Sequence, residues 1–161
     1  MIFTVDNLQP VFGLLEQTKG VAQVPEYHPE GDVYNHTLQV MAIAFRETTD
    51  IDLIFAAILH DVGKIIIRSG HEEKSVEMVE CFSSAKTIWL IEHHMRIRTL
   101  LKGVMKKKSK VEYLLTNPWL PELIHLVRMD NGGRVPGKVI KWSPEIVVDN
   151  LNEIVYNKYR G

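Results

Sequence analysis

The stretch Ile54-Phe55-Ala56-Ala57-Ile58-Leu59 is apolar on every side and runs directly into His60-Asp61. A helix that is hydrophobic all round has to lie at the centre of a packed domain. Its far end then carries an imidazole and a carboxylate side by side into the interior, at a cost of several kcal/mol unless something binds them. A divalent cation supplies that compensation. The pair therefore directs the search for further ligands on other elements.

Hydrophobic spacing predicts helices through most of the chain. Asp6-Asn7 is expected to cap a first helix carrying Leu8, Val11, Phe12 and Leu15, with Gly20 ending it. Residues 24–31, with two prolines and a glycine, form an irregular loop. Asp32 caps a second helix with the stripe Val33, Thr37, Val40, Met41, Ala44 and Phe45, and the central helix runs from about Asp50 to Asp61. A further helix begins at His71-Glu72-Glu73 and turns Val76, Val79 and Phe82 inward, and another carries Ile88, Ile91 and His93-His94. Pro118 and Pro121 introduce a helix that Asn131-Gly132-Gly133 ends, and Ser143-Pro144 opens a closing helix over about 144–158. No sheet is expected; the run Ile65-Ile66-Ile67 reads as an extended connection after a turn at Gly63. The expected fold class is all-α, a compact single-domain helical bundle over residues 1–161.

Two more residues have the type and placement of metal ligands. His36 belongs to the same inward stripe as Val33 and Val40, and Asp130 continues the apolar face of Leu123, Leu126 and Val127. The chain holds seven histidines and one cysteine, a ligand set for hard or borderline metals and not for thiolate clusters. Two imidazoles and two carboxylates suit Mn, Fe, Co, Ni, Mg or Zn without choosing among them.

The order His36, His60-Asp61, Asp130 resembles that of the HD-domain phosphohydrolases. The text Leu59-His60-Asp61-Val62-Gly63-Lys64 has that family's His-Asp-x-Gly-Lys form, and Gly70-His71-Glu72 with Ser75 resembles its downstream Gly-His-Glu-x-x-Ser element. The segment from His28-Pro29-Glu30-Gly31 to His36-Thr37 is similar to the HD domain attached to bacterial tRNA nucleotidyltransferases. The resemblance spans about residues 24–134. It has no counterpart of their nucleotidyltransferase head, so no addition of CCA ends is expected.

The resemblance implies hydrolysis of a nucleotide or RNA-end phosphoester by metal-activated water, with 2′,3′-cyclic nucleotide phosphodiesterase or nucleotidase activity foremost. A (deoxy)nucleoside mono- or triphosphate phosphohydrolase is the first alternative. A non-catalytic nucleotide- or RNA-binding HD module is the second, disfavoured because such a module has no reason to keep costly buried charges. Asp61 and Lys64 are the expected catalytic residues, Asp61 also orienting water and Lys64 approaching the phosphate. His71, His93 and His94 stand where two-metal relatives carry additional histidines, so they are candidates for a second metal or for substrate. Adjacent residues of a helix point about 100° apart, so His93 and His94 need not share a metal. Arg96, Arg98 and Arg134 suit phosphate through their planar forks, and His28 and Glu30 are placed at the entrance; His125 reads as structural.

Charge adds an exclusion. With 19 Lys+Arg against 20 Asp+Glu the net charge is −1, which gives no global attraction to nucleic acid or acidic lipid, so polyanion affinity must be local. The lysines of Lys102–Lys110 offer such a place for RNA, although no aromatic side chain interleaves them. No signal-peptide start and no apolar run of about 18 residues is present, so a reduced cytoplasmic protein without a membrane span is expected, with homo-oligomerisation left open.

Overall fold

Helix succeeds helix through a computed structural model that describes residues 2–161. In chain order these are α1 (Gln9–Gln17), α2 (Val33–Glu47), α3 (Ile51–Leu59), a 3-10 turn (Val62–Ile65), α4 (His71–Val79), α5 (Ala85–His93), α6 (Arg96–Leu101), α7 (Lys108–Thr116), α8 (Leu120–Gly132) and α9 (Pro144–Arg160). No strand occurs among the described residues. The chain is all-α, and among the described residues no helix is long and apolar enough to cross a membrane.

The central position of α3 follows from its sequence. Leu53, Ile54, Ala56, Ala57, Ile58 and Leu59 are all buried, and the helix packs against α1, α2, α5 and α8. Asp50 starts it, its Oδ1 accepting from the N–H groups of Asp52 and Leu53 at 3.0 and 3.2 Å. Asp32 starts α2 in the same way by accepting from Asn35 N–H at 2.8 Å. Its second oxygen accepts from Gly20 N–H at 2.7 Å and ties the end of α1 to the start of α2.

Several local expectations are corrected. Asp6-Asn7 does not cap α1; Asn7 exchanges hydrogen bonds with Thr4 instead, and α1 starts after Leu8 with Pro10 in its first turn, where a missing N–H costs nothing. Residues after Asp61 do not form an extended connection. They coil into the 3-10 turn, because this brings α4 directly against Gly63, and Ile66 and Ile67 are left exposed. Gly63 has no left-handed backbone; its role is close approach. A Cβ there would stand 2.0 Å from His71 O and 2.6 Å from Ser75 N, while Gly63 N–H donates to Ser75 Oγ at 2.8 Å. Phe82 lies beyond the end of α4 and is 37% exposed, so it does not complete that helix's inner face.

Candidate metal centre

Three helix ends deliver the ligand candidates to one point. His36 sits in the first turn of α2, His60 closes α3 with Asp61 behind it, and Asp130 lies near the end of α8. All four are buried, and one ligand atom from each falls within 4.8 Å of the others. His36 Nε2 stands 2.7 Å from Asp130 Oδ1 and 3.7 Å from Asp61 Oδ2. His60 Nε2 stands 3.4 Å from Asp61 Oδ2 and 3.6 Å from Asp130 Oδ1.

The backbone determines which ring nitrogen faces inward. The Nδ1–H groups of His36, His60, His71 and His94 donate to the carbonyls of Gly133, Ala57, Arg68 and Ile91 at 2.9, 2.9, 3.0 and 2.6 Å. That pattern assigns the proton to Nδ1 in each neutral ring and leaves every Nε2 lone pair for the interior. His60 Nε2 is buried with no hydrogen-bond partner among the described residues. An orphaned imidazole nitrogen between two carboxylates is the arrangement a divalent cation satisfies, and two nitrogens with two oxygens fit such an ion.

Asp61 connects this group to a second one. Its Oδ2 faces His36 and His60, while its Oδ1 lies 3.0 Å from His71 Nε2 and 3.7 Å from His94 Nε2. Asp61, His71 and His94 thus form a second buried cluster with ligand geometry, sharing one carboxylate with the first.

The family described as "HD domain" matches residues 33–131, a segment that contains every residue of these two clusters. The chain belongs to the HD-domain family. That family comprises metal-dependent phosphohydrolases, and the His/Asp cluster here is able to hold a divalent metal. Among curated proteins the chain is similar to the multifunctional CCA protein of Thioalkalivibrio sulfidiphilus (strain HL-EbGR7), with 40% identity over 79 residues, covering 45% of this chain and 19% of that protein. It is similar also to the multifunctional CCA protein of Methylobacillus flagellatus, with 32% identity over 116 residues, covering 62% of this chain and 28% of the relative. The multifunctional CCA protein of Halorhodospira halophila matches at 40% over 65 residues, or 36% of this chain and 16% of that one. The chain therefore spans less than a third of the length of these relatives.

Charge in the HD cluster is balanced by protons in the absence of a metal. Burial works against charging His36, but its hydrogen bonds to Asp130 and Glu30 outweigh this and push its pKa up to about 9. Burial likewise opposes charge on His60, and the attraction of Asp61 and Asp130 raises its pKa to about 10. Asp61 and Asp130 resist desolvation through these same imidazoles, and both are held well below the ordinary carboxylate range. Deep burial instead lowers the pKa of His94.

The other anticipated residues divide between the site and its surroundings. Lys64 Nζ donates to Asp61 Oδ2 and to Gln23 Oε1, both at 2.9 Å; Gln23 gave no sign of this role in the sequence, because it reaches the lysine across 41 residues. Lys64, His28, His71, Tyr27 and Met95 line a cavity of about 530 Å³ beside the cluster, in which Lys64 and His71 both contact Asp61. Glu30 is not at this entrance. Its buried carboxylate lies behind His36, with Oε1 2.8 Å from His36 Nδ1 and accepting from His28 Nδ1 at 2.9 Å. Arg98 donates to Asp130 Oδ2 and to Asn131 Oδ1, which holds the aspartate in place. Arg134 donates to Tyr27 O at 3.0 Å and braces the loop carrying His28 and Glu30, standing 3.9 Å from Asp130.

Of the candidates for a second metal or for substrate, His93 does not join the metal clusters. It points away from His94 and packs on Trp89 and Tyr113 at ring-centroid distances of 4.7 and 5.6 Å. Arg96 goes with it, donating to His93 Nδ1 at 3.3 Å and approaching Glu73 and Glu92, so it stands away from the cluster's mouth. The physical reason is the 100° step between neighbours on a helix, which sends one of two adjacent histidines to each side of α5.

Proposed function

We propose that this HD domain hydrolyses a phosphoester of a nucleotide or RNA end, with 2′,3′-cyclic phosphodiesterase or 2′-nucleotidase activity as the leading form. One observation carries the reading. The ligand set His36, His60, Asp61 and Asp130 adjoins a cavity lined by Lys64, His71 and His28: Lys64 donates to Asp61 Oδ2 at 2.9 Å, and His71 Nε2 lies 3.0 Å from Asp61 Oδ1. A divalent cation bound there would supply Lewis acidity and lower the pKa of water toward neutrality. The name of the multifunctional CCA relatives supports an RNA-end substrate.

The chain's own residues then have separable tasks. Asp61 directs one oxygen to each cluster, so it serves as the shared ligand when His71 and His94 hold a second cation. Lys64 is anchored on Asp61 and Gln23 beside the cavity, a position from which its ammonium can meet a phosphoryl oxygen and stabilise charge that develops there. His28, partly buried at the cavity wall, gives its Nδ1–H to Glu30, which fixes the ring and leaves Nε2 to accept from substrate. Arg98 and Arg134 keep Asp130 and the entrance loop in register.

The test is to strip the protein with a chelator and restore it with Mn, Ni, Co, Fe, Mg or Zn. Each form is assayed on 2′,3′-cyclic nucleotides, 2′-nucleotides and deoxynucleoside mono- and triphosphates. The expected result is turnover of the cyclic and 2′ substrates that returns with at least one ion and is absent in Asp61→Ala. Phosphate or pyrophosphate release from deoxynucleotides alone would replace the leading form with the nucleotide phosphohydrolase. No turnover with any ion would overturn the hydrolase.

A further inference from the structure

The lysine run gains partners in three dimensions that its sequence lacks. A second cavity of about 490 Å³ lies between α5, α6 and α7, lined by His93, Arg96, Lys106, Lys107, Lys110 and Tyr113. The ion pairs nearby join Arg96 to Glu73 at 3.8 Å and Glu92 at 4.0 Å, and Lys108 to Glu112 at 3.9 Å. Lys106, Lys107 and Lys110 are left without a carboxylate partner among the described residues, in a chain whose net charge is only −1. Like charges gathered around a concavity repel one another, and an anionic ligand relieves that repulsion.

The same cavity has an aromatic wall. Tyr113 is 52% exposed, yet its hydroxyl accepts from Trp89 Nε1 at 3.0 Å, and Trp89 in turn packs on His93 and Trp119. The ring is thus held in place with half its surface free, as a stacking platform requires. His93 forms the adjoining part of the wall. Arg96 donates to its Nδ1 at 3.3 Å, and its Nε2 stands 3.7 Å from Glu92 Oε2.

Position relates this cavity to the metal centre. His94 faces the Asp61 cluster while His93 lines the second cavity; Met95 lines the mouth of the centre while Arg96 lines the second cavity. The two openings therefore flank one short corner between α5 and α6. We propose that the second cavity seats a nucleotide of a single-stranded RNA, its phosphates on Lys106, Lys107 and Lys110 and its base on Tyr113, while the strand's end crosses Met95 to the metal centre. The substrate class is then an oligonucleotide end in preference to a free mononucleotide. This deepens the phosphoester reading and rests on it for the fate of the strand's end, but strand binding itself needs no turnover.

Fluorescence anisotropy tests it on the full chain in chelator, where no hydrolysis occurs, with a labelled single-stranded RNA of about eight nucleotides. Combined Lys106→Ala, Lys107→Ala and Lys110→Ala is expected to reduce the slope of log affinity against log salt by about 2, at roughly 0.7 for each phosphate that a lysine no longer neutralises. Tyr113→Ala is expected to weaken binding at least about five-fold, and Tyr113→Phe, which keeps the ring but loses its hydrogen bond from Trp89, to weaken it less than Tyr113→Ala does. Parent-like binding by the triple-lysine variant and by Tyr113→Ala overturns the inference. So does inorganic polyphosphate that competes fully with the RNA while Tyr113→Ala binds RNA normally. If no phosphoester is ever turned over but the variants lose the strand, the binding inference stands and the hydrolase reading falls. If small substrates are hydrolysed and the variants bind RNA normally, this inference falls alone.

Discussion

His36 and His60 are held in two opposing ways: buried away from water, and placed against carboxylates that favour their protonated forms. With pKa values pushed up to about 9 and 10, both carry a second proton at pH 7 when no metal is present. A divalent cation takes the place of two such protons, so the exchange leaves the buried charge unchanged. Titration calorimetry in buffers of different ionisation enthalpy should accordingly show close to two protons released per ion bound near pH 7. The sign of the stability effect follows. Each raised histidine contributes stability that is fully present below its ordinary value of 6.5 and is lost as pH rises through about 9 to 10. The chelated protein should therefore lose melting temperature between pH 7 and 10, while the gain produced by added metal grows over the same interval. Asp61 and Asp130 act oppositely: their contribution is present above 3.8 and fades as pH falls through their depressed values. A metal-induced melting shift independent of pH would contradict this account of the pair.

At the level of elements, the 3-10 turn after α3 decides whether the second cluster exists. Its Gly63 lets α4 approach until Ser75 Oγ accepts from Gly63 N–H and donates to His60 O at 3.0 Å, which binds α4 to the end of α3. This contact places His71 beside Asp61. Gly63→Ala forces a methyl into His71 O, so α4 must move; overpacking of this kind costs about 1–3 kcal/mol. Urea denaturation should show that loss, and metal titration should show weakened binding, because His71 is drawn off Asp61. Unchanged values for both would mean that the turn does not set the position of α4. The His-Asp-x-Gly-Lys and Gly-His-Glu-x-x-Ser texts were visible in the sequence as separate strings. Their interlocking through Gly63 and Ser75 was not, since it depends on two helices meeting.

For the whole molecule, the ligands come from α2, α8 and the end of α3, with His71 and His94 from α4 and α5. Metal binding therefore acts as a staple across most of the bundle. An ion that binds only the folded chain stabilises it by about 2.7 kcal/mol at a free concentration one hundred times its dissociation constant. Urea midpoints should rise by the corresponding amount in a metal-concentration-dependent way and return with excess chelator. A midpoint indifferent to every divalent ion would remove the cation from the buried cluster.

The sequence alone determined the helical class, the central place of α3 and the grouping of His36, His60, Asp61 and Asp130, because each rests on local pattern: apolar periodicity, capping aspartates and a charged pair at the end of a buried run. Tertiary structure decided what depends on the direction of a side chain and the company it keeps. It sent His94 to the Asp61 cluster and His93 to the far side of α5, moved Glu30 from the entrance to a place behind His36, and turned Arg98 onto Asp130. It also set Tyr113 and His93 beside lysines that stand without aromatics in the linear text. The physical reason is common to all of these. Helical spacing says which residues share a face, but only the packing of one helix against another says what that face meets.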